Sequence, residues 1–306
     1  MKRRVSILAV LLVLPAFALG STLFQSDMDS AAGWSVLPGS DTAYTFGWDF
    51  TSMGIPASPG GSTTGLKLEA NISSGTAQQI AVVSDYAASG QYVVEFDFWA
   101  NANGPFPGGG GGSTEFVGGG IGHDGSTVGL NGASLIIDGE GGSSADWRLY
   151  KNGGLQYPAS GQYDVDTNNN SGVDLSAYFP SLAAPAYQQA NYPQQTGMIN
   201  AGSGGFAWHH MVITVDTNAI GIGTTQDPGL AHFVVDGLSI GTIDNSNGGT
   251  VVDMSGAISI IYADLFSSVS DNAALSFGVV DNLVVTPEPS ALALLALGGL
   301  ALLRRR

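Results

Sequence analysis

Cysteine is absent from the 306 residues. That excludes a disulfide framework, a thiol nucleophile and cysteine-based zinc binding, so a folded body must rest on its apolar core. Basic residues are nearly as scarce. Six of the nine lie at the chain ends, which leaves Lys67, Arg148 and Lys151 in the body against 25 acidic residues in the whole chain. A surface of that sign repels phosphate backbones and excludes nucleic acid as a partner. It suits divalent cations and neutral or cation-bridged polymers. Helix formers are few in the body, whereas glycine numbers 45, a composition that predicts an all-β body with many turns.

The two ends carry their own signals. Met1-Lys2-Arg3-Arg4 is a positive n-region, Val5–Leu14 an apolar h-region, Pro15 a breaker, and Ala18-Leu19-Gly20 a small-x-small cleavage site before Ser21. Residues 1–20 thus predict a secretory signal peptide, handled by the Sec export machinery and signal peptidase. At the other end Pro287-Glu288-Pro289 precedes the uncharged, Ala- and Leu-rich run Ser290–Leu303 and then Arg304-Arg305-Arg306. As a helix that run would span about 21 Å, short of the roughly 30 Å hydrocarbon core. The arginines behind it can snorkel to headgroups and mark the cytoplasmic side.

A Pro-Glu-Pro motif, a short hydrophobic helix and a terminal basic cluster, in that order, resemble the PEP-CTERM sorting signal. The resemblance implies that residues 286–306 are a sorting segment, with Pro287, Glu288, Pro289, Arg304, Arg305 and Arg306 as its processing features. It also implies an exosortase-type membrane transpeptidase as a partner. Both ends predict export, with transient anchoring at the inner membrane and delivery to the cell surface, outer envelope or extracellular matrix.

Residues 21–285 form the body. In Thr42–Phe50 the alternation places Tyr44, Phe46, Trp48 and Phe50 on one strand face, which predicts core, with a binding platform as the other reading. Tyr92–Ala100 is the strongest strand pattern: Tyr92, Val94, Phe96 and Phe98 share one face, and Val93, Glu95, Asp97 and Trp99 the other. Glu95 and Asp97 could serve glycoside hydrolysis as a carboxylate pair. The jelly-roll glucanases with such a strand need a third carboxylate two or three positions on, where this chain has Trp99 and Ala100, so the pair reads as a polar sheet face. The glycine runs 118–120 and 122–125 fit no phosphate-binding spacing and predict turns. Pro180–Gln195 carries too much proline for a helix and predicts an irregular surface loop.

Two kinds of ligand group stand out. Asp164, Asp166, Asn168, Asn170 and Asp174 place oxygen donors along a short loop, which suits calcium as a cofactor. Asn169 at the sixth position and Leu175 at the twelfth exclude an EF-hand, and a solvated turn is the other reading. Trp99 and Trp147 are candidate stacking platforms for a sugar. His209 and His210 are adjacent on a strand, so they point to opposite faces and do not share a metal.

Trp208-His209-His210, the strand running on to Asp216, and Val235-Asp236-Gly237 at a hairpin resemble the laminin-G and concanavalin-A-like sandwiches. That implies a two-sheet jelly roll, whose relatives often bind glycans or matrix proteins. The ending Val280-Asp281-Asn282-Leu283-Val284-Val285 resembles the last strand of exported sandwich domains and runs straight into the sorting segment. The expectation is a non-enzymatic, exported binding module with glycan or exopolysaccharide as ligand. A surface or biofilm protein without a specific ligand, and a glycoside hydrolase or lyase of the same fold, are the alternatives.

Overall fold

The computed structural model of the chain describes residues 22–143, 145–158, 161–165, 175–219 and 229–288. Two antiparallel sheets face each other as a jelly-roll sandwich. In spatial order, sheet A holds β13 (Leu238–Asp244), β12 (Leu230–Val235), β11 (Trp208–Asp216), β6 (Gln91–Asn101), β15 (Phe277–Pro287), β4 (Thr64–Ala70) and β3 (Thr42–Asp49). A short β1 (Phe24–Ser26) pairs with the end of β15. Sheet B runs β10 (Gly154–Leu155), β9 (Trp147–Lys151), β8 (Ala133–Asp138), β7 (Glu115–His123), β14 (Ala257–Asp264), β5 (Gln78–Ala87) and β2 (Trp34–Pro38).

The main core lies between the sheets and follows the period-two pattern. Tyr92, Val94, Phe96 and Phe98 of β6 are fully buried against Val117, Ile121 and Ile260 of sheet B. Burying side chains of this size contributes about 1.5–3 kcal/mol each. β7 to β10 are consecutive neighbours, a meander. The hairpin between β12 and β13 turns on Asp236 (φ 51°) and Gly237 (φ 80°), the two left-handed residues of a type I′ turn.

Three expectations change. Gly118, Gly119 and Gly120 are not a turn but the middle of β7. A Cβ at Gly118 or Gly120 would come within 2.0 or 2.1 Å of the Leu135 or Ala133 carbonyl oxygen, so β8 approaches too closely for any side chain. The aromatic face of β3 is only partly core. Phe50 is buried, Phe46 and Trp48 are half-buried, and Tyr44 is 45 % exposed, because β3 is an edge strand whose register shifts between Thr45 and Trp48. Within Pro180–Gln195, residues Ala186–Asn191 form a short helix, α1, with Pro185 at its N-cap. Proline is tolerated there because a helix start has no use for its amide hydrogen.

A second core covers part of the outer face of sheet A. Trp99, Phe277 and Val279 pack there beneath Phe50, Ile55, Phe106 and Phe206. Buried amides tie this cap to β6. Gln188 of α1 donates to Asn101 Oδ1 at 2.8 Å, Asn101 Nδ2 to Leu275 O at 2.7 Å, and Gln195 Nε2 to Ala102 O at 2.9 Å. Each donor keeps a partner, which is what makes buried amides tolerable. The rest of the outer face, from Glu95 toward Val93, is half-buried beside the cap.

Candidate polar site on the outer face of sheet A

The antiparallel register of β11, β6 and β15 sets His210, Asp97 and Asp281 side by side. His210 Nδ1 lies 2.8 Å from Asp97 Oδ1, and Asn282 Nδ2 donates to Asp97 Oδ2, also at 2.8 Å. Ser58 Oγ donates to Asp281 Oδ2 at 2.7 Å and accepts from Asn282 Nδ2 at 3.2 Å. Asn282 reaches Asp97 because β15 bulges between Asp281 and Val284 and the residue sits at φ 55°, a conformation asparagine tolerates better than most. Asp236, in the hairpin turn, accepts from the His210 amide at 2.8 Å and contacts His209 Nδ1 at 2.6 Å.

The site is graded from dry to wet. The Asp97 side chain is 5 % exposed and that of His210 47 %, so the carboxylate is held under the surface and the imidazole edge reaches solvent. The hydrogen bond that the His210 ring donates to Asp97 raises its pKa above the ordinary value, burial opposes the rise, and the charges of Asp97, Glu95 and Asp236 add to it. Burial works against ionised Asp236, yet its bonds from His209 and His210 hold its pKa low. Burial raises Asp281, partly offset by Ser58. A groove of about 370 Å³ adjoins the site between β1 and β15, with Gln25, Asp27, Asn282 and Val284 in its lining.

Among the described residues no lysine or arginine reaches the Asp97–His210 array, although Lys67 lies on the same face of the sheet. Lys67 Nζ pairs with Glu69 at 2.6 Å and sits over the Trp48 and Phe277 rings. Arg148 donates to Ala145 O at 2.7 Å and lies over Phe116. Lys151 donates to the Asp244 and Gly248 carbonyls.

Neither tryptophan candidate is a stacking platform. Trp147 is fully buried, stacked on Phe179 and donating to Gly202 O at 2.8 Å. Trp99 is 2 % exposed beneath the cap. A ring without an open face offers nothing to a sugar. Of the calcium candidates, Asp164 is fixed on β13: it accepts from Ser239 Oγ, and its amide donates to Ile240 O at 2.9 Å. Asp166, Asn168, Asn170 and Asp174 lie outside the described residues, and among the described residues no three His, Asp or Glu side chains converge as a metal site. His209 packs inward and His210 faces solvent, as adjacent strand positions require. Sequence reasoning missed Ser58, Asp236, Asp281 and Asn282 as partners. An Asp-Asn pair inside a valine-rich strand was the available signal.

At the C-terminal end β15 runs to Pro287, opposite Tyr92, and the Glu288 amide donates to Gln91 O at 3.1 Å. Residues 1–20, Pro289 and Arg304, Arg305 and Arg306 lie outside the described residues. A sequence profile described as the PEP-CTERM protein-sorting motif matches residues 285–306. The C-terminus carries a PEP-CTERM sorting motif. This marks an exported protein processed at the membrane by an exosortase. Among the described residues no helix is long and apolar enough to cross a membrane.

No curated protein sequence matches the chain. Among solved structures it is similar to a galectin-like protein of unknown function from Bacillus subtilis, at 12 % identity and TM-score 0.44 over 88 % of this chain and 96 % of that one. It is also similar to the Emp47p carbohydrate recognition domain, at 9 % identity and TM-score 0.39 over 86 % and 94 %. A third is the alginate lyase vAL-1 from Chlorella virus, at 13 % identity and TM-score 0.41 over 87 % and 99 %.

Proposed function

We propose that the mature protein is a surface or matrix component whose sandwich binds a neutral exopolysaccharide along the uncapped part of sheet A. The observation that carries this reading is the Asp97–His210–Asn282 array. It is a prearranged set of acceptors and donors on a sheet face, beside a groove, in a body whose three basic side chains are all engaged elsewhere. Sugar hydroxyls need such fixed polar partners at a partly desolvated surface. A polyuronate would need a cation to meet its carboxylate, and this face has Glu95, Asp97 and Asp236 instead. The same array weighs against hydrolysis. Both Asp97 oxygens are already bonded, so the Glu95 and Asp97 pair is not a free acid and base. Export through Sec, signal peptidase cleavage and exosortase processing would deliver this face to the exopolysaccharide outside the cell.

Affinity electrophoresis of the wild type in gels of neutral and acidic polysaccharides tests the reading. Retardation by a neutral polymer is expected, with His210→Ala weakening it about tenfold, the equivalent of one to two lost hydrogen bonds. Equal migration in every gel would leave a structural surface protein as the better account.

A further inference from the structure

The sorting motif and the fold claim the same residues. The motif matches from Val285 onward, whereas β15 runs to Pro287. Val285 is fully buried in the main core, paired with Val94 of β6 on one side and Phe24 of β1 on the other. Thr286 lies opposite Val93 and Pro287 opposite Tyr92, and the Glu288 amide donates to Gln91 O at 3.1 Å. The first two residues of Pro287-Glu288-Pro289 are therefore held against β6, and Thr286, Pro287 and Glu288 are each half-buried.

A transpeptidase that reads a linear motif must take the chain extended and unpaired, because its own groups have to replace the partners a strand has in a sheet. A strand inside a ladder has those groups already engaged. The ladder thins at this point, however. On the β1 side the last bond among the described residues runs from the Leu23 amide to Val285 O at 2.8 Å, so Thr286–Glu288 is held by β6 alone. Pro287 has no amide hydrogen to give that strand. One residue further back, Val285 is anchored in the core. Strand ends held in this way open at a small fraction of the cost of global unfolding. We infer that this chain's fold gates its own processing: the exosortase takes the motif only when Thr286–Glu288 has peeled from Gln91–Val93, and Val285 sets the limit of the peeling. The gate rests on the sorting motif and the end of β15 and does not depend on the glycan reading.

The absence of cysteine makes the gate simple to lock. Val93 and Thr286 are directly opposite at half-buried positions of the outer face, so Val93→Cys/Thr286→Cys creates the only two thiols of the molecule at a spacing a disulfide can bridge. The full chain in detergent is incubated with membranes carrying the exosortase, with and without dithiothreitol. The shortened product is followed by mass spectrometry, and each rate is divided by that of wild type under the same condition. The oxidised pair should be slowed about tenfold or more and should recover on reduction. A second variant acts in the opposite direction and keeps the test decisive if the cysteine pair does not fold. Inserting Gly-Ser-Gly-Ser between Thr286 and Pro287 moves the motif off the ladder and should speed processing severalfold. An oxidised pair processed at the wild-type rate, or an insertion that brings no gain, would mean that the motif is read without peeling and would overturn the gate.

Discussion

Asp97 and Glu115 are equally hidden, each 4 % exposed on a central strand of its sheet. Asp97 has a hydrogen-bonding group on each oxygen, from His210 and Asn282, whereas Glu115 has only the Tyr262 hydroxyl. The contrast shows that burial does not decide what a carboxyl group does. Partners do: one acid is locked into a network that reaches solvent through an imidazole, and the other is left with only a phenol beside it.

The contrast can be broken from the Asp97 side first. Asp97→Ala strands the Asn282 amide and the His210 ring and should cost about 2–3 kcal/mol in urea unfolding. Glu115→Gln, measured in the same way, should stay within about 1 kcal/mol of wild type, because a buried acid held neutral contributes little that an amide does not. If both variants lose the same amount, the distinction fails. Asn282→Ala should be intermediate, since it removes the bond to Asp97 and places alanine at φ 55°, while Asn282→Gly should recover about 1 kcal/mol of that loss.

The smallest effects are those of pH. Asp264 is pushed up by burial to about 6, and Glu115 is raised well above its ordinary value by the same cause. Raised carboxyl pKa values contribute stability that is complete below the unfolded values and lost as pH climbs through the folded ones. The urea midpoint should therefore fall between about pH 4 and 6 from Asp264. Asp264→Asn should flatten that segment, and Glu115→Gln should remove the part of the loss that Glu115 adds. His210, raised by Asp97, adds a loss above its ordinary value near 6.5, which His210→Asn should remove.

Much of this fold was legible in the chain. The alternation in Tyr92–Phe98 identified the inner face of β6, and Asp236-Gly237 its own hairpin. The Trp208-His209-His210 strand assigned its two histidines to opposite faces. Period-two reasoning stops at the sheet, however. Trp99 lies on the outward face as its position requires, yet the 180–206 segment and the Phe50 turn cover it, and no local pattern announces a cap assembled from distant loops. Asp97 was legible as a polar face residue, but its partners come from residues 113 and 185 positions away. The glycines of β7 read as turns because the cause of their small size, the neighbouring β8 backbone, is also distant.

The junction at Glu288 has a mechanical meaning. Tension entering the body there would pass along β15, which is held by β6 on one side and by β1 and β4 on the other. A pull along the strand loads these rungs side by side, so they share the force, whereas a pull on an edge strand would open them one at a time. A matrix protein tethered through this end would carry load on its strongest seam, with its uncapped face on that same sheet.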